Sequence, residues 1–249
     1  MKASFLTAAI LMLGMVLLPA ANAAELKVLA GGSIAGPLNE LKAQFEQTSG
    51  HKLTIHFDST PNLIKLATSD APFDLGVVPI DVFKDAAAKA KFAGPTIDIA
   101  RVGYGVAVRA DAAKPDISSP EALKQTLSRA QSIATLPASA AGAYVLSVFE
   151  RLGIGEAMKA KIKAQPTPAA IPQAVAKGEA ELGVFLTNVL IAPGVKLAGS
   201  FPAELQQELI FTAAIALASK EADAAKAFIT YLKTPAAIAV IKAKGMNPG

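Results

Sequence analysis

The sequence of 249 residues has no cysteine, no tryptophan and only two histidines. A chain without cysteine forms neither a disulfide scaffold nor a thiolate site for a metal or a redox reaction. His51 falls in a predicted turn and His56 on the polar face of a predicted strand, so we interpret both as solvated and expect no metal centre. Basic side chains outnumber acidic ones only slightly, 24 to 20, and the lysines are scattered. A nucleic-acid partner is therefore not expected.

Motifs of catalytic chemistry are also missing. The sequence has no Walker loop, no GxGxxG dinucleotide motif and no HExxH metal motif. Its nearest approach to the GxSxG nucleophile elbow is the segment 31–35, which carries Ala35 in place of the second glycine. A glycine turn is expected after a strand in any case. The sequence therefore predicts a protein that is not an enzyme and uses no cofactor.

Hydrophobic side chains are abundant, at 52% of residues, and the mean hydropathy is +0.41. Part of this excess lies in residues 1–23, which have the pattern of a secretory signal peptide. Lys2 supplies the positive start, residues 5–18 the apolar run, and Ala21-Asn22-Ala23 a cleavage site of small residues. A membrane anchor is the alternative, but the run is shorter than the roughly 20 residues that span a bilayer. We expect export to the bacterial periplasm and cleavage after Ala23.

Segments typical of strands alternate with segments typical of helices along the rest of the chain. Apolar or alternating runs predict strands at 25–30, 52–57, 73–78, 100–108, 132–136, 182–186, 193–198 and 207–217. Helical spacing and caps predict helices at 82–90, 171–177, 221–232 and 235–244, and others that begin near 37, 60, 120 and 143. This alternation predicts an α/β fold with mainly parallel sheets flanked by helices. Runs 100–108 and 207–217 are candidate crossings between two lobes, formed by residues 24–105 with 210–249 and by residues 106–209.

Four of the predicted strands end in loops of small or hydroxyl residues that lead into helices. The loops are Gly31-Gly32-Ser33, Asp58-Ser59-Thr60, residues 138–142 and Leu186-Thr187-Asn188. In parallel α/β sheets the carboxyl ends of strands face a ligand crevice. Helix N-termini at such positions attract anions through free N–H groups and the helix dipole. Ordinary helix capping is the alternative for any one loop, but the recurrence of four loops favours an anion site.

Several segments together resemble a known family. They are Leu26–Gly32 with Ser33, Phe45–Gly50, Phe57–Thr60, Ala71–Leu75, Gly178–Gly183, Pro193–Val195 and Ala237–Met246. On these residues the chain resembles the molybdate-binding proteins of ABC importers, which have the type II periplasmic binding-protein fold. The resemblance implies two lobes joined by two crossing strands that act as a hinge, with the ligand between the lobes. It further implies molybdate or tungstate as the ligand, an inner-membrane ABC permease as the partner, and a monomer.

The resemblance also implies where the ligand is held. In this family serine hydroxyls and backbone N–H groups hold the oxyanion without a charged side chain. The corresponding residues of this chain are Ser33, Ser59, Thr60, Ala141, Gly142, Thr167 and Thr187. Thr167 stands for a backbone contact that falls within residues 167–169. Thr187 belongs to the stretch Phe185-Leu186-Thr187, which corresponds to the position of the family's tyrosine contact.

Two other functions remain open on the same fold. One is a receptor with a wider pocket for a small organic acid anion. The arginines occur only at positions 101, 109, 129 and 151, outside the predicted ligand loops, which weakens a bidentate clamp on a carboxylate. The other is an exported enzyme, such as an isomerase of a small carboxylic acid, for which the loops offer no recognisable nucleophile or acid pair.

Overall fold

The computed structural model describes residues 23–249. The predicted signal peptide lies outside the described residues except for Ala23. Within them the strands are β1 (Glu25–Gly31), β2 (Lys52–Asp58), β3 (Leu75–Pro79), β4 (Phe92–Val102), β5 (Tyr104–Arg109), β6 (Ile133–Thr135), β7 (Ile162–Ala164), β8 (Leu182–Leu186), β9 (Val195–Ser200), β10 (Leu209–Ala216) and β11 (Asn247–Pro248).

The helices of the described chain lie between these strands. They are α1 (Ala35–Ser49), α2 (Thr60–Thr68), α3 (Ala86–Lys89), α4 (Pro120–Arg129), α5 (Ala140–Arg151), α6 (Gly155–Lys159), α7 (Ala170–Ala176), α8 (Thr187–Leu190), α9 (Ala222–Leu232) and α10 (Pro235–Ala243). None is by itself long and apolar enough to cross a membrane within residues 23–249, and α9 with α10 meets that test only as a pair bent by 64°.

The first sheet has the strand order β11-β4-β10-β3-β1-β2. Strand β1 is parallel to both β2 and β3, whereas β10 is antiparallel to β3 and β4. Alternate side chains of β1, such as Leu26 and Val28, are buried in the same hydrophobic cluster as Leu38, Leu41 and Phe45 of α1. The helical spacing of these α1 side chains and the period of two along β1 explain why the two elements pack.

The second sheet has the order β7-β6-β8-β5-β9. Strand β6 is parallel to β7 and β8, and β5 is antiparallel to β8 and β9. The predicted two-lobed α/β architecture is confirmed, with each sheet mixed because its parallel strands adjoin antiparallel ones near the crossings. We use "first lobe" and "second lobe" for the two sheets with the helices packed on them.

The chain passes between the sheets twice. Gly103 alone separates β4 of the first sheet from β5 of the second, and residues 201–208 lead back from β9 to β10. The Gln206 side chain joins the two passages, since its Oε1 accepts the N–H of Tyr104 at 2.8 Å and its Nε2 donates to the Tyr104 carbonyl at 2.9 Å. The run predicted as one strand at 100–108 is therefore two strands of different sheets.

Several predicted elements differ in detail. The helix predicted at 82–90 is a 3₁₀ turn, Ile80–Lys84, followed by the short α3. Asp85 interrupts the helix by accepting the N–H of Ala88 at 2.8 Å, which starts a new one. At α2 the N-cap is Ser59 and Thr60 is the first helical residue, one position earlier than the spacing to Pro61 predicts.

Candidate ligand-binding cleft

A small cavity lies where the carboxyl ends of β1, β2 and β3 face the start of α5. Its lining comes from both lobes and consists of Gly31, Gly32, Ser33, Asp58, Ser59, Thr60, Pro79, Leu136, Ser139, Ala140, Ala141, Pro168, Leu209 and Phe211. The volume of the cavity is about 20 Å³. On the same scale one water molecule requires about 10–15 Å³. The described arrangement of the lobes therefore suits a very small ligand. Grooves of about 420 and 630 Å³ are lined by the first lobe alone and do not reach the cleft, whereas a groove of about 560 Å³ between the lobes shares Gly32, Ser33 and Pro168 with the cavity.

Two helix N-termini meet at this cavity. Thr60 begins α2, and Ala140 and Ala141 begin α5. The N–H groups of Ala140 and Ala141 donate to no group of the described chain, as is usual for the first turn of a helix. Each helix N-terminus carries a partial positive charge of about half an elementary charge. The two helix N-termini thus supply positive potential to a lining that contains no lysine or arginine.

Three serines face this region and differ in what their hydroxyls do. The Ser139 hydroxyl donates to the Leu136 carbonyl at 2.8 Å and accepts the N–H of Gly142 at 2.9 Å. Ser59 occupies the corresponding N-cap position of α2, yet its side chain makes no capping hydrogen bond. Within the described residues the Ser33 hydroxyl is likewise without a protein partner. Two serine hydroxyls in the lining are therefore available to a ligand, and the third is engaged.

Four of the sequence-predicted site residues are brought together. Ser33, Ser59, Thr60 and Ala141 all line the cavity. Ser33 and Ser59 follow neighbouring parallel strands, while Ala141 comes from the second lobe. The convergence spans residues that are more than 100 positions apart in the chain.

The other three predicted residues lie outside the lining, each for a structural reason. The N–H of Gly142 is occupied by the Ser139 hydroxyl. Thr167 uses its carbonyl to accept the N–H of Ala170 at 3.2 Å, and Pro168 lines the cavity instead. The N–H of Thr187 donates to the Gly103 carbonyl at 2.9 Å, so its backbone supports the crossing.

Asp58 is the charged residue of the lining. Its Oδ1 accepts the Ser59 N–H at 2.7 Å and the Asn62 amide at 2.8 Å, and its Oδ2 lies 3.4 Å from His56 Nε2. Burial raises the pKa of Asp58, but hydrogen bonds from Asn62, Ser59 and His56 outweigh it and bring the pKa below the ordinary value. The carboxylate is therefore ionised at neutral pH, and it opposes the binding of an anion even though its oxygens are turned to β2 and α2.

A family model described as "Bacterial extracellular solute-binding protein" matches residues 26–247. The chain belongs to this family. The match covers nearly all of the described residues, so both lobes and the cleft between them fall within it.

Individual relatives of this solute-binding protein carry two different names. An aconitate isomerase from Pseudomonas sp is 31% identical over 249 residues, which cover 96% of this chain and 94% of that protein. A molybdate-binding protein from Azotobacter vinelandii is 31% identical over 232 residues, 91% of each chain. The solved structure of the Azotobacter vinelandii periplasmic molybdate-binding protein matches with a TM-score of 0.74 at 23% identity, over 89% of this chain and 98% of that one. The structural match shows the shared fold.

Sequence reasoning missed the apolar part of the cavity. Leu209 and Phe211 reach it from β10, and Pro79 from the end of β3. Their apolar character gives no signal that distinguishes them from ordinary core residues. Ser139 lies in a loop that the sequence did single out, and its place three residues before Gly142 is the spacing of an N-cap.

Proposed function

We propose that this solute-binding protein captures a small oxyanion, molybdate or tungstate, between its lobes and delivers it to an ABC permease. One observation carries the proposal: the unengaged hydroxyls of Ser33 and Ser59 and the N-termini of α2 and α5 converge on a cavity of about 20 Å³ without a cationic side chain. Such a site binds an anion through neutral donors that are already in place. The Azotobacter vinelandii relative named for molybdate supports the same ligand.

The contacts follow from the positions of the donors. We infer that the Ser33 and Ser59 hydroxyls, Thr60 and the N–H of Ala141 contact the oxyanion. Gly142 acts indirectly, because its N–H fixes the Ser139 hydroxyl and thereby the start of α5. Thr167 and Thr187 support the neighbouring loops without contacting the ligand.

The family also bears on location and assembly. We propose that the chain is exported to the periplasm, that its signal peptide is removed after Ala23, and that it works as a monomer opposite a membrane permease. Mass spectrometry of the protein from a periplasmic extract tests the cleavage: a mature chain beginning at Ala24 is expected, and an intact residue 1 contradicts it. Size-exclusion chromatography with light scattering tests the monomer.

Calorimetric titration of the purified mature protein tests the ligand. Sodium molybdate and sodium tungstate are expected to bind, and sulfate and aconitate to bind more weakly. Ser33→Ala and Ser59→Ala should each raise the dissociation constant about 10- to 100-fold, because each removes a hydrogen bond to a charged ligand. Ser128→Ala, on the exposed surface of α4, is the matched control and should leave the dissociation constant unchanged. No heat with either oxyanion, or no change in the two serine variants, refutes the proposal.

An isomerase of a small carboxylic acid is the second candidate, favoured by one observation: Asp58 places an ionised carboxylate, a potential base, in the lining. The aconitate isomerase relative is consistent with it. Two features favour binding over catalysis. Asp58 is engaged with Ser59 and Asn62, and a tricarboxylate exceeds the cavity of about 20 Å³ and would have to extend into the adjoining groove of about 560 Å³.

Nuclear magnetic resonance of cis-aconitate incubated with the protein decides between the two candidates. Conversion to the trans isomer that disappears in Asp58→Asn establishes the enzyme. No conversion, together with oxyanion binding, leaves the transport function.

A further inference from the structure

The short helix α8 of the second lobe touches the first lobe at the loop that carries Ser33. Asn188, its second residue, donates from Nδ2 to the Ser33 carbonyl at 2.7 Å, across 155 positions of sequence. Ser33 follows β1 of the first sheet, and α8 follows β8 of the second. The bond therefore joins the two lobes beside the cavity, at the backbone of the residue whose hydroxyl faces the ligand.

A second contact holds α8 at the same interface. Gly245, after α10 of the first lobe, has a positive φ of 77°, and a Cβ at this position would lie 2.8 Å from Cδ1 of Ile191 and 3.5 Å from Cα of Asn188. A side chain at this position would press on Ile191, and the Asn188 backbone lies at ordinary contact distance, so Gly245 lets the first lobe pack against α8 and the residue that follows it.

The amide of Asn188 can take only one orientation here. Turning it over would place its oxygen against the Ser33 carbonyl, and two acceptors repel. In the observed orientation Oδ1 is buried and has no hydrogen-bond partner among the described residues. Closure of the lobes therefore gains one interlobe hydrogen bond and removes one amide oxygen from water, so the bond by itself does not hold the lobes firmly shut.

We propose that Asn188 is a positioning residue that couples closure of the lobes to the ligand loop. It contacts the Ser33 backbone and lies outside the lining of the small cavity, in the wall of the adjoining groove of about 560 Å³. In the closed protein it fixes the Ser33 loop in the position that presents the Ser33 hydroxyl to the ligand. Because the desolvated oxygen offsets only part of the gain from the bond, the bond favours closure modestly without ligand, and the bound ligand stabilises the closed lobes further. The inference deepens the proposed oxyanion function and rests on it for the choice of ligand.

Two substitutions distinguish the loss of the hydrogen-bond donor at position 188 from the addition of a charge there. Asn188→Leu is similar in size, neutral, and leaves the Ser33 carbonyl without its donor. Asn188→Asp turns an acceptor towards that carbonyl and adds a charge. Asn39→Asp, on the exposed face of α1, is the charge-matched control. In stopped-flow measurements with sodium molybdate, Asn188→Leu should raise the dissociation rate about three- to tenfold at an unchanged association rate, because closure follows encounter. Asn188→Asp should have the larger effect, and Asn39→Asp none.

A distance measurement tests the contribution of Asn188 to closure of the lobes without relying on the ligand. The described chain has no cysteine, so Lys89→Cys in α3 and Ser128→Cys in α4, both exposed, give one spin label on each lobe. Without ligand, the labelled wild type should show a short-distance population that is smaller in Asn188→Leu and in Asn188→Asp. Addition of sodium molybdate should enlarge the short-distance population in the wild type more than in either variant.

The possible results are distinguishable. If molybdate fails to bind the wild type but the ligand-free distances change in the Asn188 variants, the proposed ligand is wrong and the proposed role of Asn188 in closure is supported. If the distance distributions of the wild type and both variants are identical, with or without molybdate, the proposed role of Asn188 in closure is refuted. An Asn188 variant that unfolds is recognised by circular dichroism, and the other variant then decides.

Discussion

Two helices enter the cleft with a serine at the N-cap, and the two serines are used differently. At α5 the Ser139 hydroxyl caps the helix through the N–H of Gly142. At α2 the Ser59 hydroxyl makes no such bond, and the preceding Asp58 holds the turn through the Ser59 N–H and the Asn62 side chain. The difference shows how a binding site and a helix cap compete for one hydroxyl. At α2 the Ser59 hydroxyl stays unengaged, and the carboxylate one residue earlier places a negative charge in the lining of the cavity.

The largest expected effect comes from a substitution that disrupts the first turn of α5. In Gly142→Ala the new Cβ would overlap the carbonyl of Leu136, so the loop and the first turn of α5 cannot both keep their positions. We expect the free energy of unfolding to fall by about 3 kcal/mol or more, measured by urea denaturation. Gly36→Ala in α1, where nothing lies within 4 Å of the added Cβ, is the control. Its stability should change by less than about 1 kcal/mol, because the gain from replacing glycine in a helix is opposed by the restriction that Pro37 places on a preceding residue with a Cβ. Equal stability of the two variants would contradict the role of Gly142.

Ser59→Ala tests the free hydroxyl of α2. Because this side chain makes no capping bond, the free energy of unfolding should change by less than about 0.5 kcal/mol. The affinity for molybdate should fall by about 1.5–3 kcal/mol, the value of a hydrogen bond to a charged group. Thermal denaturation without ligand and calorimetric titration measure the two quantities. A marked loss of stability would mean that Ser59 caps α2 after all.

Ser139→Ala is the reciprocal case. The loss of the N-cap should lower the free energy of unfolding by about 1 kcal/mol. Molybdate affinity should fall less than in Ser59→Ala, since the Ser139 hydroxyl is engaged by Leu136 and Gly142. If the loss of stability stands in the same ratio to the loss of molybdate affinity in both serine variants, the two serines do not differ in role.

The smallest effect concerns the charge of Asp58. Its pKa is lower in the folded protein than the ordinary value of 3.8, so its ionised form stabilises the fold above that value, and this contribution is lost as the pH falls through the lowered pKa. The wild type should therefore exceed Asp58→Asn in stability by less than about 1 kcal/mol at pH 6, because the group is partly exposed. The difference should diminish at acid pH. At pH 7, Asp58→Asn should bind molybdate more tightly by a few fold, because a like charge is removed.

Elements with local signals could be predicted from the sequence. Strand β1 follows from its short apolar run before a glycine turn, and the end of α1 follows from Gly50, which has the positive φ of 75° typical of that position. Ser33 and Ser59 follow from loops at strand ends. These features depend on residues that are neighbours in the chain.

Several contacts between distant residues of the cleft could not be predicted from local patterns. Phe211 reaches the cavity because β10 returns to the first sheet beside β3, and Asn188 meets Ser33 because the lobes close. The engagement of the Gly142 N–H agrees with the N-cap spacing of Ser139, but Ser59 stands at the N-cap of α2 and makes no capping bond. Spacing identifies loops that point to a cleft, but it does not show which of their hydroxyls and N–H groups remain unoccupied.

The link between the lobes has a mechanical consequence. One passage is a single residue, Gly103, and the other is held to it by the two hydrogen bonds between Gln206 and Tyr104. Two adjacent connections joined in this way restrain the lobes against sliding, so we expect the cleft to open and close by rotation about the link. A rotation about a fixed link would bring Ser33, Ser59 and Ala141 back to the same relative positions at each closure.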